Sequence, residues 1–159
     1  MNKTITVRNK AITNIDIEEM CRKLSIPLIA CCMKDELTSL QVGDYIINLE
    51  NSNQPGSHWT ALLCRRNECV YVDSFGAPPP QQIEDLLKKY YKRIAYNNWI
   101  IQDLKSQACG FYAIAVLKYV NSREKKSDKS LLELVNDYIN LYDDDTAKNF
   151  KILQKVFKQ

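Results

Sequence analysis

The sequence contains a single histidine, and this scarcity restricts the metal chemistry available to it. Cys64 and Cys69 have the spacing of one half of a zinc site, but no second pair follows, and one histidine cannot complete four ligands. We therefore expect no bound metal. Long apolar runs are also missing, because none approaches the roughly 18 residues that a membrane span requires. We expect no membrane partner.

The sequence also lacks a large excess of either positive or negative charge. The formal net charge is only +3, with 22 basic and 19 acidic residues, and so small an excess does not demand nucleic acid as a partner. One local basic cluster is a candidate for weak nucleic-acid contact, with a solvated helix face as its alternative. This cluster consists of Lys88, Lys89, Lys92 and Arg93.

The opening stretch, MNKTITVRNK, lacks the apolar run of a secretory signal. We therefore expect a reducing compartment, in which most of the six cysteines are small buried hydrophobic residues. A length of 159 residues, with 45% hydrophobic and 26% charged residues and no internal repeat, is typical of one globular domain. We expect a single domain over residues 1–159.

The spacing of apolar residues predicts the elements of this domain. Helical spacing predicts helices at 13–24 and 81–93, and two more helical stretches are predicted at 130–142 and 146–157. The apolar run CGFYAIAVLKYV predicts a buried helix at 109–120, because of its length and its Ala and Leu content. Short β-branched and aromatic runs predict strands at 28–33, 44–49, 57–64, 69–73 and 94–101. The stretch SREKKSDKS is predicted to be an exposed linker. This order of elements predicts an α+β fold, with a central, mainly antiparallel or mixed sheet flanked by helices.

A predicted β-hairpin brings the only histidine towards an aspartate. If the polar tetrad RRNE closes the hairpin symmetrically, Cys64 pairs with Cys69 and His58 faces Phe75. Because side chains alternate along a strand, Asp73 then shares the face of His58, as a diagonal neighbour about 7–8 Å away in Cα terms. A register shift of one residue would separate the two, and a surface pair on the rim of the hairpin is the alternative.

Cys109 differs from the other five cysteines in its place on a predicted helix. It lies at the start of that helix, where unpaired backbone N–H groups and the helix dipole stabilise a thiolate. Gly110 beside it lets another chain approach closely. A thiolate, an imidazole and an orienting carboxylate are the parts of covalent acyl transfer. We therefore predict Cys109, His58 and Asp73 as catalytic residues, with Gln102 and the backbone N–H of Cys109 as donors to an oxyanion.

The same residues resemble a known family, the adenain-like cysteine proteases, which include adenovirus maturation protease and, more distantly, SUMO-specific peptidases. The stretch GSHW is similar to the family's His-Trp motif, YVDSFG to its acidic residue, and ACGFY to its nucleophile, preceded by a glutamine. These motifs fall at His58, Trp59, Asp73, Gln102 and Cys109. The resemblance covers most of the chain, although adenovirus protease carries Glu where Asp73 stands. The phrase DSFGAPPP is closest to the compact proteases of adenoviruses, Polinton-type elements and virophages.

The resemblance implies a papain-like fold with the nucleophile at the N-terminus of a buried helix. It implies a thiol endopeptidase for viral maturation, which processes capsid or other virion precursor proteins at Gly-containing sites. Trp59 and Gly110 are the candidate substrate-binding residues, because a bulky aromatic side chain would narrow the groove until only glycine passes. Core packing is the alternative for Trp59. We expect a monomer located in the virion and the host-cell cytoplasm.

The cofactor and two other functions stay open at the level of sequence. The resemblance suggests an activating peptide or DNA, but no residue here requires either one. Disulfide linkage to such an activator and burial as free thiols are the two alternatives for Cys31, Cys32, Cys64 and Cys69. The same catalytic residues also suit a peptidase for ubiquitin-like modifiers, and the same fold suits an inactive peptide-binding module.

Overall fold

A five-stranded mixed sheet lies at the centre of the computed structural model, which describes residues 4–159. The strands are β1 (Leu28–Met33), β2 (Gly43–Asn48), β3 (Trp59–Cys64), β4 (Glu68–Val72) and β5 (Arg93–Tyr96). The helices are α1 (Asn14–Lys23), α2 (Gln81–Tyr90), α3 (Cys109–Arg123), α4 (Leu131–Ile139) and α5 (Asn149–Lys158). Residues 1–3 of the predicted domain lie outside the described range.

The order of the strands in the sheet follows their order in the chain. The two inner pairings, β2 with β3 and β3 with β4, are antiparallel. The two outer pairings, β1 with β2 and β4 with β5, are parallel. The predicted α+β class with a mixed sheet flanked by helices is therefore confirmed.

The hairpin of β3 and β4 has the predicted register. Cys64 lies opposite Cys69 and Ala61 lies opposite Val72, and the N–H of Arg65 closes the turn by donating to the carbonyl of Glu68 at 2.8 Å. Side chains of both strands are buried because helices or loops cover both faces of the sheet. The residues that flank this hairpin, just before β3 and just after β4, lie close together at the same end of the two antiparallel strands.

The larger core lies between one face of the sheet and the helices α1, α3, α4 and α5, while α2 packs on the other face. The helix α3 is buried along most of its length, because it packs on β3 on one side and on α4 and α5 on the other. The apolar run CGFYAIAVLKYV predicted this burial. The sheet and the helices α4 and α5 thus fix the first residue of α3 beside the start of β3.

The helix α1 begins directly after a residue that caps its N-terminus. Thr13 is the N-cap, and its hydroxyl accepts a hydrogen bond from the N–H of Asp16 at 3.2 Å. The carboxylate of Asp16 in turn accepts from the N–H of Thr13 at 3.0 Å, which completes a capping box. A cap of this kind stabilises a helix by about 1 kcal/mol, and here it fixes the segment that leads into α1.

The predicted strand at 94–101 is wrong in its second half. The strand β5 ends at Tyr96, and the residues after it form a loop. The side chain of Asn97, rather than the backbone, continues the pairing with the chain after β4, as its hydrogen bonds to Asp73 show. The β-branched and aromatic content that predicted a strand therefore belongs to a loop at the edge of the sheet.

The predicted linker at 122–130 is partly ordered as helix. The helix α3 continues to Arg123, and a single 3-10 turn follows over Glu124–Lys126. The guanidinium of Arg123 lies 3.7 Å from the ring centre of Tyr119, and Glu124 forms an ion pair with Arg65 at 2.7 Å. These contacts hold the first part of the segment against the domain.

Candidate active site

His58 and Asp73 are in contact at the end of the sheet where β3 begins and β4 ends. Nε2 of His58 lies 2.7 Å from Oδ1 of Asp73. The imidazole also stacks on the ring of Phe75, with ring centres 4.8 Å apart. The side chain of Asp73 is 2% exposed and that of His58 is 15% exposed. The predicted pair is therefore formed, and it is a buried contact rather than a surface pair on the hairpin rim.

Asp73 is held from two directions. Its carboxylate accepts a hydrogen bond from the N–H of Phe75 at 2.8 Å. Its backbone is bound by the side chain of Asn97, which accepts from the N–H of Asp73 at 3.0 Å and donates to its carbonyl at 2.7 Å. Sequence reasoning missed Asn97, and its only signal was a polar Asn-Asn pair that interrupts an apolar run.

Gly76 allows the loop after β5 to approach the turn after β4. Its φ is +74°, in the left-handed region that favours glycine, and a Cβ there would lie 2.9 Å from the carbonyl carbon of Trp99. The N–H of Gly76 donates to the carbonyl of Asp73 at 2.8 Å. The close approach brings the loop that carries Gln102 beside the histidine and aspartate pair.

Cys109 is the first residue of α3 and is buried, with 7% of the residue exposed. Burial alone would raise the pKa of this thiol. Hydrogen bonds from His58 and from the backbone N–H groups of Trp59 and Gly110, together with the charge of His58, outweigh burial and lower the pKa of Cys109. The site therefore favours a thiolate at this position.

The pKa of His58 moves in the complementary direction. Burial alone would lower the pKa of the imidazole, but the hydrogen bonds and negative charges of Asp73 and Cys109 raise it to about 9. With its Nε2 on Asp73, the ring turns its Nδ1 towards the thiol. The two shifts act together, because each favours the charged form of its own group, and so they favour a thiolate–imidazolium pair.

The other five cysteines have the opposite electrostatic surroundings. All six are free thiols, and burial raises the pKa of the other five above the ordinary value. The pKa rises to about 12 for Cys21, Cys64 and Cys69 and to about 11 for Cys32. Only Cys109, within the described residues, combines burial with a lowered pKa.

Gln102 is buried in the loop before α3 and its amide has a fixed orientation. Its Oε1 accepts from the hydroxyl of Ser74, and its Nε2 donates to the carbonyl of Ser106 at 3.0 Å. The N–H of Gln102 donates to the carbonyl of Ser74 at 3.0 Å. One N–H of the amide is thus used by Ser106, three residues before Cys109, and the second N–H is left for another acceptor.

A segment from the N-terminal part of the chain also supports the start of α3. Oδ1 of Asn9 accepts from the N–H of Gln107 at 2.7 Å and from the hydroxyl of Ser106 at 3.3 Å. The same hydroxyl oxygen accepts from the N–H of Ala108 at 3.1 Å. Asn9 therefore orders the residues just before Cys109, and sequence reasoning missed it because 98 positions separate Asn9 from Gln107.

Trp59 and Gly110 lie beside Cys109 in different ways. The indole N–H of Trp59 donates to the carbonyl of Ile12 at 3.0 Å, and both residues line a groove that reaches Cys109. Gly110 is buried beneath Ile12, where an added Cβ would lie 2.5 Å from Cγ1 of that side chain. The close approach predicted at Gly110 is therefore made by the chain itself, and Trp59 is both a packing residue and a groove residue.

The structure also bears on the sequence-based expectations for a metal, a membrane and nucleic acid. Within residues 4–159, no group of three or more His, Cys, Asp or Glu side chains is arranged to share a metal ion. No helix in that part of the chain is both long and apolar enough to cross a membrane. The basic cluster at Lys88, Lys89, Lys92 and Arg93 lies far from the site, because Arg93 pairs with Glu68 at the opposite end of β4 from Asp73. Its contact with nucleic acid stays a prediction.

The fold is similar to that of proteins with solved structures. No protein-family model matches this sequence, and no curated protein does. Two crystal structures of ASFV pS273R protease match, at 14% and 15% identity and TM-scores of 0.54 and 0.52, each over 95% of this chain. The matches cover 68% and 67% of the protease chain. The SUMO protease Ulp1 also matches, at 14% identity, over 96% of this chain and 70% of its own, with a TM-score of 0.37.

At such low identity the match to ASFV pS273R protease shows the fold. This shared fold confirms the fold that the sequence motifs implied. Within this fold, the site described above lies where β3 begins and β4 ends, beside the start of the buried helix α3.

Proposed function

We propose that this chain is a cysteine endopeptidase with Cys109 as nucleophile, His58 as acid and base, and Asp73 as the residue that orients His58. The observation that carries the proposal is the position of Cys109. It is the first residue of a buried helix, and its pKa is lowered by the neighbouring imidazole of His58, which lies 2.7 Å from a buried carboxylate. These are the three roles of covalent acyl transfer, formed by residues from three separate elements.

In the acylation step, the Cys109 thiolate attacks the carbonyl carbon of the scissile amide and the C–N bond breaks. The imidazolium of His58 gives its proton to the departing nitrogen, so that an amine leaves and a thioester remains. The negative charge that develops on the carbonyl oxygen is stabilised by the backbone N–H of Cys109 and the second N–H of the Gln102 amide. Asp73 keeps the ring in the orientation that this proton transfer needs.

In the deacylation step, neutral His58 takes a proton from a water molecule, and the water oxygen attacks the thioester. The C–S bond breaks, the peptide acid leaves, and thiolate and imidazolium are restored together. The raised pKa of His58, about 9, favours this restored ion pair at neutral pH. The cycle consumes one water for each peptide bond and needs no further reactant.

The substrates we propose are virion precursor proteins of a virus or mobile element, cut at Gly-containing sites. The support is the fold shared with a viral protease, together with the narrow entrance that Trp59 and Ile12 form beside Cys109. An aromatic wall at this point favours residues without side chains next to the scissile bond. We further propose that the protein acts as a monomer, without a required cofactor, in the virion and the host-cell cytoplasm.

A comparison of two substrate types tests this proposal. We expect short peptides from virion precursors with Gly-Gly or Gly-X before the scissile bond to be cut at least as well as a folded ubiquitin-like C-terminal fusion. The reason is that the described chain has few elements beyond the catalytic sheet and helices to build a second interface of about 800 Å². The assay uses mass spectrometry of products, with Cys109→Ala as control and with or without added DNA or virion extract.

Rapid processing of the folded fusion, beside inert short peptides under every condition, would contradict the proposed substrate. It would favour a peptidase for ubiquitin-like modifiers with the same catalytic residues. Binding of the peptides by wild-type protein without any cleavage would instead contradict the proposed activity and favour an inactive peptide-binding module.

A further inference from the structure

A groove of about 480 Å³ leads away from Cys109 across the ends of three strands. Residues 11–14, just before α1 and at its start, form one wall, and residues 55–57 form another. The floor includes Trp59, Asn48 and Met33. The register places these three residues in one row, because Asn48 lies opposite Trp59 on β3 and opposite Met33 on β1.

Asn48 is a polar residue in this row, and its side chain is almost fully enclosed, with the residue 2% exposed. Its Oδ1 accepts hydrogen bonds from the N–H of Glu50 at 3.0 Å and from the N–H of Ser57 at 3.3 Å. Its Nδ2 has no hydrogen-bond partner among residues 4–159. Asn48 Nδ2 is not one of the fully shielded, unpartnered side-chain atoms of the described residues, so it can be reached from the groove and can donate to a ligand there.

Gly56 leaves this donor uncovered. The glycine has a φ of +91° and lines the same groove, and a Cβ there would lie 3.1 Å from Nδ2 of Asn48. Because the two accepted backbone hydrogen bonds fix Oδ1, the amide cannot turn its nitrogen away without losing both. The Nδ2 group of Asn48 is thus held beside the groove whose lining also includes Cys109.

We propose that the Asn48 amide donates a hydrogen bond to a main-chain carbonyl of the substrate, and so selects an extended peptide on the acyl side of the scissile bond. The proposal rests on the proposed peptidase function and adds a specificity-determining residue to it. A main-chain carbonyl suits this donor because every residue of an extended peptide offers one, whatever its side chain.

The groove is assigned to the acyl half of the substrate because of what lines it. Cys109 lines it, whereas His58, which must reach the leaving nitrogen, does not. Neighbouring strands are about 4.8 Å apart, and an extended chain advances about 3.3–3.6 Å per residue. Asn48 lies one strand beyond Trp59, so the contacted carbonyl belongs to the second or third residue before the scissile bond.

The variant Asn48→Asp removes the donor and keeps the fold-supporting acceptor, since a carboxylate oxygen still accepts from Glu50 and Ser57. Two substrates are compared, acetyl-Ala-Ala-Gly-Gly-coumarin amide and the single-residue acetyl-Gly-coumarin amide. We expect kcat/KM of the long substrate to fall about 10-fold and that of the short one to stay within about twofold, because only the long one reaches Asn48.

A substrate with one amide replaced by an alkene identifies the contacted carbonyl. At one position in the acyl half, the replacement should cost the wild-type enzyme about 10-fold in kcat/KM and cost Asn48→Asp less than about twofold, the signature of a direct interaction in a double-mutant cycle. An equal loss for long and short substrates, or no position that distinguishes the two enzymes, would overturn the proposal. The Cys109 alkylation rate of each variant controls for a damaged nucleophile.

Binding to Cys109→Ala protein separates this proposal from the proposed activity. The affinity of the long peptide for Cys109→Ala should be about 10-fold higher than for the double variant that also carries Asn48→Asp. If wild-type protein cuts nothing but this difference is found, the peptidase proposal fails and the Asn48 contact stands. If wild-type protein cuts the peptide and the two affinities are equal, the Asn48 contact fails alone.

Discussion

The start of α3 and the β3–β4 hairpin both bury cysteines, yet they drive the thiol pKa in opposite directions. Cys109 is 7% exposed, and Cys64 and Cys69 are 0% and 1% exposed. The pKa of Cys109 is lowered, whereas burial raises the pKa of both hairpin cysteines to about 12. Burial therefore does not decide whether a cysteine of this protein is reactive.

The difference comes from the donors that surround each sulfur. The pKa of Cys109 is lowered by the imidazole of His58, by the backbone N–H of Trp59 at the start of β3 and by that of Gly110 at the start of α3. Cys69 has the carboxylate of Glu68 as a neighbour, which raises its pKa further. A buried thiol becomes a nucleophile where the fold supplies positive charge and donors, and it stays a small hydrophobic residue where the fold supplies neither.

The largest expected effect is the loss of the nucleophile. Cys109→Ala should lower kcat for peptide hydrolysis by about 10⁴-fold or more, because the covalent step has no other thiolate. Cys69→Ala is the matched control and should leave kcat within about twofold, because this cysteine lies far from the site on the hairpin. Steady-state kinetics of the two purified variants check the contrast, and a fully active Cys109→Ser protein would contradict it.

The next effect is the loss of the oxyanion donor. Gln102→Ala should lower kcat by about 10²–10³-fold with a smaller change in KM, because the amide acts on the transition state rather than the bound substrate. Gln102→Glu keeps an acceptor for the Ser74 hydroxyl and removes the N–H donors, so a similar loss would separate catalysis from loop support. A kcat within about threefold of wild type in Gln102→Ala would assign the loop a different role.

Asp73→Asn should have a smaller effect than the same change in a serine enzyme, where the loss is about 10⁴-fold. The reason is that the lowered pKa of Cys109 favours its thiolate before substrate binds, so that less depends on proton transfer to His58. The change should also move the alkaline limb of the pH–rate profile. Activity of the wild type falls as pH rises through about 9, where His58 loses its proton.

Without the Asp73 charge, the pKa of His58 falls and this limb shifts to lower pH. The matched control is Asn97→Ala, which loosens the backbone of Asp73 and leaves its charge in place. An unchanged alkaline limb in Asp73→Asn would show that the carboxylate does not set the charge state of His58.

The smallest expected effect is on the stability of the hairpin rather than on catalysis. Cys69→Ala should lower the free energy of unfolding by about 1 kcal/mol, because it removes a buried sulfur from the core beneath α2. The activity per folded molecule should not change. Urea unfolding followed by tryptophan fluorescence checks the first statement, and a stability loss together with a loss of kcat would show that the two regions are coupled.

The hairpin and α3 could be predicted from sequence because both depend on local patterns. The tetrad RRNE fixed the pairing of Cys64 with Cys69, and that register placed His58 near Asp73. The apolar run after Cys109 predicted a buried helix, and the cysteine's position at its start predicted a lowered pKa. These features need only the alternation of a strand, a short turn and the length of an apolar run.

The supporting residues could not be predicted because their partners lie far away in sequence. Asn9 binds Gln107 across 98 positions, and Asn97 binds Asp73 across 24. Asn48 lines the groove only because β2 pairs with β3 in one particular register. The wrong end of the strand at 94–101 has the same origin, since the side chain of Asn97 takes over a backbone pairing that no local pattern encodes.

The most direct test of the central claim is the rate at which iodoacetamide alkylates each cysteine at mildly acidic pH. We expect Cys109 to be modified well before the other five cysteines, with activity lost in step with its modification. We also expect His58→Ala to slow the alkylation of Cys109. Peptide mapping by mass spectrometry assigns the label to each site. Uniform labelling of all six cysteines, or a Cys109 rate that does not depend on His58, would contradict the account.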